Sequence, residues 1–304
     1  MVKRTKKTVI IFLDTDKHVS SFDIITAIDV LSDVETIAYG NVLPEDTKRI
    51  VQDAIFPRGS EGARNTKLFI GGHDMAMTAR VLDAAQSSMY PPFELAIIVD
   101  PRGAYTTASA AVAKTLAAFR EKCKGGIRKV KVTVLAGTGP IGQMASRLYA
   151  MEGASVVITS RNLARSSAVA SKINVDLGID LVRGVKALGV DEAGAAIDDA
   201  DIVLATGAAE VNLLSLKVLK EHNRGYRVVG DVNAIPPLGV EGIKPTDDGA
   251  EFMRDIYGMG SLAIGAFKQQ VEAQIFMRAA ETTKGVFGLE AAYEIAKSMI
   301  AKIE

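Results

Sequence analysis

The sequence predicts an α/β protein in two domains. One is a Rossmann-like, doubly wound domain, and the other is an N-terminal α/β domain completed by C-terminal helices. Three observations lead there. Short β-branched apolar runs alternate with helix-patterned segments almost throughout, the signature of parallel sheets covered by helices on both faces. One such run, Val130 to Leu135, ends in Gly137-x-Gly139-x-x-Gly142 and passes directly into a helix-like stretch. The 304 residues, 48% of them hydrophobic, suffice to fill two cores.

Taken in order, the chain opens on Lys3-Arg4-Thr5-Lys6-Lys7 before Thr8-Val-Ile-Ile-Phe-Leu13. An apolar run so short, stopped by Asp14, reads as a first strand with a basic lead-in and not as a signal peptide. Further strands are expected at 35–39, 67–70 and 95–99, with helices near 21–31, 44–54, 75–85 and 106–122. The charged, glycine-bearing segment 121–129 is the expected linker, so residues 1–122 form the N-terminal domain. Strands at 130–135, 155–159, 202–205 and 227–230, with helices near 139–152 and 164–177, place the doubly wound domain at 123–257. Crossovers are right-handed, which makes this winding the economical topology. Residues 258–304 read as helices without a strand, packing back on the N-terminal domain and lining a cleft between the two.

In a strand–turn–helix context the three glycines have separate jobs. They allow a tight turn, close backbone approach to a pyrophosphate, and close helix–strand packing. The segment Gly137, Thr138, Gly139, Pro140, Ile141 and Gly142 is therefore the expected phosphate loop, with the helix N-terminus supplying N–H groups and positive dipole. The next strand chooses the nucleotide. It ends in Ser160-Arg161-Asn162, where NAD-binding chains commonly carry an acid for the ribose 2′-hydroxyl. Ser160 and Arg161, with Arg165 a turn later, suit a 2′-phosphate, so NADP is the expected cofactor. Thr206, Gly207 and Ala208, after strand 202–205, and Asp231 and Asn233, after strand 227–230, are the other expected cofactor-side residues.

Composition narrows the function classes. Lys plus Arg equals Asp plus Glu at 36 each, so no net charge draws the chain to nucleic acid or to an anionic membrane. No run approaches the roughly 20 apolar residues of a membrane span. A single cysteine, Cys123, fits a reducing cytoplasm and a structural role, and excludes an intrachain disulfide framework. His18, His73 and His222 are widely spaced, which argues against a zinc site, so no metal is expected.

Polar residues gather where the N-terminal strands end, at the edge where open α/β sheets bind ligands. Asp14, Asp16, His18, Ser20, Ser21, Phe22 and Asp23 follow the first strand. They read either as a helix cap with Ser20 or Ser21 capping, or as a cap and a ligand site together. Gly71-Gly72-His73-Asp74 follows the third strand and is as well explained by a turn as by a ligand. Thr106 and Thr107 open a long helix after the fourth, capping it or presenting hydroxyls to a ligand. Lys268, in the glycine-rich return Gly258-Met-Gly260-Ser-Leu-Ala-Ile-Gly265, reads on spacing alone as a solvated helix lysine.

These stretches together resemble the methylene-tetrahydromethanopterin and methylene-tetrahydrofolate dehydrogenases of methylotrophic one-carbon metabolism. The resemblance rests on Phe12-x-Asp14-Thr-Asp16 with Ser21-Phe22-Asp23, Tyr39-Gly-Asn-Val42, Phe69-Ile-Gly-Gly72, Thr106-Thr107, Leu135-Ala-Gly-Thr-Gly-Pro-Ile-Gly142, Asp231-x-Asn-Ala-x-Pro-Pro-Leu-Gly239 and Gly285-Val-Phe287. It implies hydride transfer from the methylene carbon of a reduced pterin carrier to NADP, without a metal, in a homo-oligomer, a trimer or hexamer. The implied substrate residues are Asp14, Asp16, His18, Ser21, Phe22, Asp23, Thr106 and Thr107. The resemblance also makes Lys268 the catalytic residue, either positioning the pterin or working neutral. Some blocks match the branch that accepts tetrahydrofolate as well, others the branch restricted to tetrahydromethanopterin, which is the expected carrier. Two readings compete. A shikimate-type dehydrogenase would show a Lys–Asp pair in the N-terminal domain, and a non-catalytic NADP-binding regulator would lack polar residues at successive strand ends.

Overall fold

Five strand-forming stretches and the helices between them build the first unit of the chain. The structure, a computed structural model, describes residues 7–122, 130–223 and 225–302, so Cys123 and the remainder of the expected linker lie outside the described residues. Two units are distinguished, Met1–Thr106 with Gln269–Ile295 and Thr107–Lys268 with Ala296–Glu304. The elements before residue 100 are β1 (Thr8–Asp14), α1 (Ser21–Val30), β2 (Val34–Tyr39), α2 (Pro44–Ile55), α3 (Gly59–Ala63), β3 (Thr66–Gly71), α4 (Met75–Ser87) and β4 (Ala96–Val99). Then come α5 (Ala104–Lys122), β5 (Lys131–Leu135), α6 (Pro140–Met151), β6 (Ser155–Ser160), α7 (Leu163–Leu177), β7 (Val182–Lys186) and α8 (Val190–Ile197). The rest is β8 (Ile202–Ala205), α9 (Leu216–Glu221), β9 (Arg227–Asp231), β10 (Asp248–Met253), β11 (Ile256–Met259), α10 (Ser261–Glu281), β12 (Gly285–Phe287) and α11 (Leu289–Ile300).

In the first unit the sheet order is β12-β4-β3-β1-β2, and each neighbouring pair is parallel. Alternate side chains of a strand face opposite ways. Ile11, Leu13, Leu68, Ile70, Ile97 and Val99 therefore pack on one face with Val51 and Ile55 of α2 and Val81 of α4. On the other, Phe12 and Phe69 meet at 5.0 Å between ring centres, and Phe276 of α10 stacks on Phe69 at 5.8 Å. With both faces covered, the strands read as continuous apolar runs, which is why they were legible. Each buried Leu, Ile or Phe contributes about 1.5–3 kcal/mol of transfer free energy.

One expectation is corrected here. The tail was expected to hold no strand, yet it contributes β12, which pairs with β4 through Gly285–Ala96, Val286–Ile97 and Phe287–Ile98. A strand of three residues is too short to show a period, and its first residue, Gly285, and the residue after it, Gly288, read as breaks.

The second unit carries a sheet of order β10-β11-β9-β8-β5-β6-β7. All neighbours are parallel except the β10–β11 hairpin. Counted from β5, the parallel part runs third, second, first, fourth, fifth, sixth, the doubly wound dinucleotide-binding order. Leu135, Val203, Ala205 and Val229 of the strands pack with Ile197 of α8, and Val218 and Leu219 of α9. Strands β7, β10 and β11 were not anticipated. β7 and β10 are edge strands with few buried residues, so neither shows a buried apolar run.

Lys67, in β3, is 1% exposed, and its ammonium donates to the carbonyls of Arg64 (2.6 Å) and Thr282 (2.5 Å). It thus pins the strand to the residue just past α10. Burial pushes this ammonium down to about 8 from 10.5. Between those values the unfolded chain binds more protons than the folded one, so stability rises with pH across the window and is lost as pH falls through 8. Urea unfolding of the wild type and Lys67→Met should show the difference moving in the wild type's favour from pH 8 to 10. The slope should be at most about 1.4 kcal/mol per pH unit, and a flat difference would contradict the burial argument.

Candidate functional site

At the carboxyl end of β5 the chain must leave a buried strand, turn and begin α6 at Pro140. Ala136 adopts a left-handed conformation (φ 51) to do so. Its N–H donates to Thr159 Oγ1 (2.9 Å), and the Gly137 N–H donates to the Thr159 carbonyl (3.0 Å), fastening the turn to the end of β6. A Cβ on Gly137 would lie 2.9 Å from Val134 Cγ1 and 3.0 Å from Ile158 Cγ2. On Gly142 it would lie 2.5 Å from Gly137 Cα and 2.6 Å from Thr206 Oγ1. At Gly139, by contrast, it would meet nothing within 4 Å. Two glycines thus serve packing, and the third keeps the backbone open where α6 begins without a side-chain cap. That open cradle fits a pyrophosphate.

A cavity of about 550 Å³ opens beside this turn, within the usual size of a cofactor site. Thr138, Gly139, Ser160, Arg161, Arg165, Thr206, Gly207 and Ala208 line it, and no acidic residue is among the described lining. Thr206 closes its floor, since both its N–H and its hydroxyl donate to the Leu135 carbonyl, at 3.0 and 2.9 Å. Asn162 caps α7 by accepting the Arg165 N–H (3.2 Å), and Ser160 Oγ accepts the Asn162 N–H (3.3 Å). Arg161 and Arg165 flank that cap, exposed at the rim. Asn162 and Thr159 were not among the expected cofactor residues. Thr159 works on a turn 23 residues away and leaves no spacing signal, whereas Asn162 is a local cap three residues from Arg165.

Other expected residues stand outside the lining. Gly137, Pro140, Ile141 and Gly142 build the turn behind it. Asp231 is buried and accepts from the N–H groups of Asn233 (3.0 Å) and Val240 (3.1 Å). Burial pushes its carboxyl up from the usual range, and those backbone donors pull it part of the way back. Asn233 Nδ2 donates to the Ala208 carbonyl (3.3 Å), tying one strand-end loop to the next. Lys268 is on α10, only 8% exposed, so the solvated-lysine reading does not describe it.

In the first unit the loops after β1, β2, β3 and β4 knit together around Asp14–His18. Asp14, 3% exposed, accepts the N–H groups of Asp16 (2.9 Å) and Ser20 (3.1 Å). Burial raises its carboxyl despite those donors. Asn41 and Val42 donate to the carbonyls of Asp16 and Asp14. Asp16 takes hydrogen bonds from Arg102 Nε (2.8 Å), His73 Nδ1 (2.7 Å) and the His73 N–H. Burial alone would raise its carboxyl, but His73 and Arg102 hold it below the usual carboxylate value.

Ser20, not Ser21, caps α1, with Oγ accepting the Asp23 N–H (3.4 Å). Ser21 and Phe22 are exposed on its first turn, and Asp23 is buried. The Thr106 hydroxyl donates to Asp100 (2.5 Å) and is buried, whereas Thr107 is half-buried. His18 is brought in through its carbonyl, which accepts from Arg102 Nη2 (2.9 Å). Arg102 was missed by sequence reading, because its partners lie 84 and 86 residues away.

Fold and site define a class, a two-unit α/β protein with a Rossmann-type dinucleotide turn. Comparison with known proteins narrows it. A family model described as methylene-tetrahydromethanopterin dehydrogenase, N-terminal, matches residues 21–102. The chain is 34% identical over 293 residues to the bifunctional protein MdtA of Methylorubrum extorquens, covering 96% of this chain and 99% of that one. It is 32% identical over 275 residues to the NAD(P)-dependent methylenetetrahydromethanopterin dehydrogenase of the same organism, covering 87% and 89%. Among solved structures, a shikimate 5-dehydrogenase from Listeria monocytogenes shares the fold with a TM-score of 0.51 at 14% identity, over 97% of each chain. The chain belongs to the methylene-tetrahydromethanopterin dehydrogenase family.

The glycine geometry separates packing from binding. Gly142→Ala should lower stability by about 1–3 kcal/mol through overpacking, since the atoms it meets are backbone and a tied threonine. Gly139→Ala should leave stability within about 0.5 kcal/mol while weakening nucleotide binding. Urea unfolding and NADP titration of both variants check this, and an equal loss of stability in the two would sink it.

Proposed function

We propose that the protein is an NADP-dependent dehydrogenase that oxidises methylene-tetrahydromethanopterin to the methenyl form by hydride transfer. Membership of the family carries the reaction class. The observation that carries the nucleotide is the acid-free cavity rim, where Ser160, Arg161 and Arg165 offer a hydroxyl and two guanidinium groups to a 2′-phosphate. When bound, NADP accepts the hydride at its nicotinamide ring. The chain's part is to bind and orient. Gly137 to Gly142 hold the pyrophosphate, Thr206 to Ala208 with Asp231 and Asn233 shape the far end of the cofactor site, and the Asp14–Asp23 loop with Thr106 and Thr107 holds the pterin. Lys268 is the residue assigned to catalysis, and its burial favours a role in turnover over a solvated one.

No acid or base need act on the reacting carbon, because the positive charge left behind spreads over two ring-flanking nitrogens. The protein works in the cytoplasm as a homo-oligomer. A single cysteine suits a reducing compartment, and Phe22, Ile25, Ile28, Ile37 and Tyr39, 41–56% exposed on α1 and β2, suit burial in an assembly.

The nucleotide assignment predicts that Arg161→Asp raises the NADP dissociation constant by roughly 10- to 100-fold, since a phosphate-paired Arg is worth about 1.5–3 kcal/mol. An unchanged NADP-to-NAD preference in that variant removes the argument. The substrate assignment is decided by steady-state kinetics with NADP on both methylene carriers. The specificity constant should be higher for tetrahydromethanopterin, and in the same assay Lys268→Ala should lose at least about 100-fold in turnover with NADP binding intact. A preference for the folate would overturn the carrier, and normal turnover of Lys268→Ala would remove that residue from the mechanism.

A further inference from the structure

Asp16 was one of the expected pterin contacts, yet its carboxylate already accepts from Arg102 and His73. Oδ2 accepts from Arg102 Nε (2.8 Å), His73 Nδ1 (2.7 Å) and the His73 N–H (3.1 Å), and Oδ1 lies 3.3 Å from that same N–H. Arg102 is in the opposite condition. A guanidinium has five donor hydrogens. Nε goes to Asp16 and one hydrogen of Nη2 to the His18 carbonyl (2.9 Å), leaving Nη1 and the second Nη2 hydrogen without a protein acceptor among the described residues. The side chain is 30% exposed, so that edge is open to a ligand.

The backbone agrees. Arg102 has φ 48 and ψ 43, left-handed values that cost a residue with a Cβ about 1–2 kcal/mol. Two anchors on the guanidinium hold that geometry, and strain that a structure over-determines collects at ligand sites. The residue stands at the carboxyl edge of the first sheet, just past β4, beside the loops after β1 and β3. That is the edge at which open α/β sheets take ligands.

We propose that Arg102 contacts the substrate, its open N–H edge donating to an acceptor oxygen of the reduced pterin, and that Asp16 and His73 are positioning residues that fix the plane of its guanidinium. This rests on the reading of the protein as a methylene-tetrahydropterin dehydrogenase. The oxygen belongs either to the carbonyl of the pterin ring or to the side chain the ring carries. A planar fork of donors serves either, whereas a carboxylate, which only accepts, serves neither.

The test is steady-state kinetics of the full-length wild type, Arg102→Ala, Arg102→Lys and Asp16→Asn, with saturating NADP and two substrates. These are methylene-tetrahydromethanopterin and a methylene-tetrahydropterin cut back to the ring and its bridging nitrogens. Arg102→Ala should raise KM for the full carrier by about 10- to 100-fold with kcat within about threefold, as for loss of a charged hydrogen bond used in binding. Arg102→Lys should recover part of that loss. Asp16→Asn should cost less than Arg102→Ala, because the guanidinium remains but is held less firmly. NADP affinity should not move. If the penalty persists with the truncated substrate, the acceptor is the ring carbonyl, and if it vanishes, the acceptor is on the side chain. Unchanged KM in Arg102→Ala overturns the inference alone. So does an equal loss of melting temperature and KM in Arg102→Ala and Asp16→Asn, the mark of a purely structural pin. No turnover of either methylene substrate by the wild type overturns the functional reading and this inference with it.

Discussion

The contact between Gly142 and Gly137 governs the nucleotide-binding unit. β5 lies in the middle of its sheet, paired with β6 on one side and β8 on the other, so the chain leaving it cannot spread sideways. It must turn over its own strand and send α6 back across the sheet. A Cβ on Gly142 would sit 2.5 Å from Gly137 Cα, so the helix can come this close only because Gly142 has no side chain. The cavity follows from that closeness. Thr206 reaches the Leu135 carbonyl beneath the turn, Thr159 holds it from the side, and the Gly139 backbone faces the remaining space.

The first unit adds carboxylates to the same kind of glycine packing, since a Cβ on Gly40 would lie 2.4 Å from the Lys17 carbonyl oxygen and one on Gly72 1.8 Å from Thr15 Oγ1. Its loops also leave the carboxyl ends of parallel strands, where the last N–H groups of a turn lack ladder partners. Asp14 supplies acceptors to two of them, and Asp16 and its carbonyl serve neighbouring loops. Polar networks that tie several loops together are stiff. A site made this way arrives preorganised and contributes orientation more than proton transfer.

How much of this was legible follows from where each force acts. The central strands β1, β3, β5 and β8 showed in the sequence because burial on both faces forces continuous apolar runs. Edge strands β7 and β10 carry no such demand, and β12 is too short for a period. The glycine turn was readable because its three glycines fall within six residues, directly after an apolar run. Arg102 was not, since it is defined by partners far along the chain. Lys67 and Arg227 are the sharpest case. Both are charged residues at the start of strands, and they are 1% and 2% exposed. Arg227 donates from Nε to the Ala200 carbonyl (2.8 Å), just past α8, as Lys67 donates to carbonyls at its own helix ends. Their neighbours decide their meaning, and local sequence does not contain those neighbours.

Chemistry limits what Lys268 can do. Hydride loss from the bridging carbon leaves a cation, and an ammonium 4 Å away would oppose it by about 4 kcal/mol at an effective dielectric of 20. That penalty alone would slow the step by roughly a thousandfold. A charged Lys268 therefore cannot face the bridging nitrogens and help. It can help by donating to a pterin atom on the side away from the forming charge, where the repulsion falls with distance and the hydrogen bond fixes the ring. Lys268 is 8% exposed, so its long, flexible side chain has already lost its freedom on folding, and a substrate held by it would not incur that entropy again. Lys67 donates to two backbone carbonyls and so holds the fold.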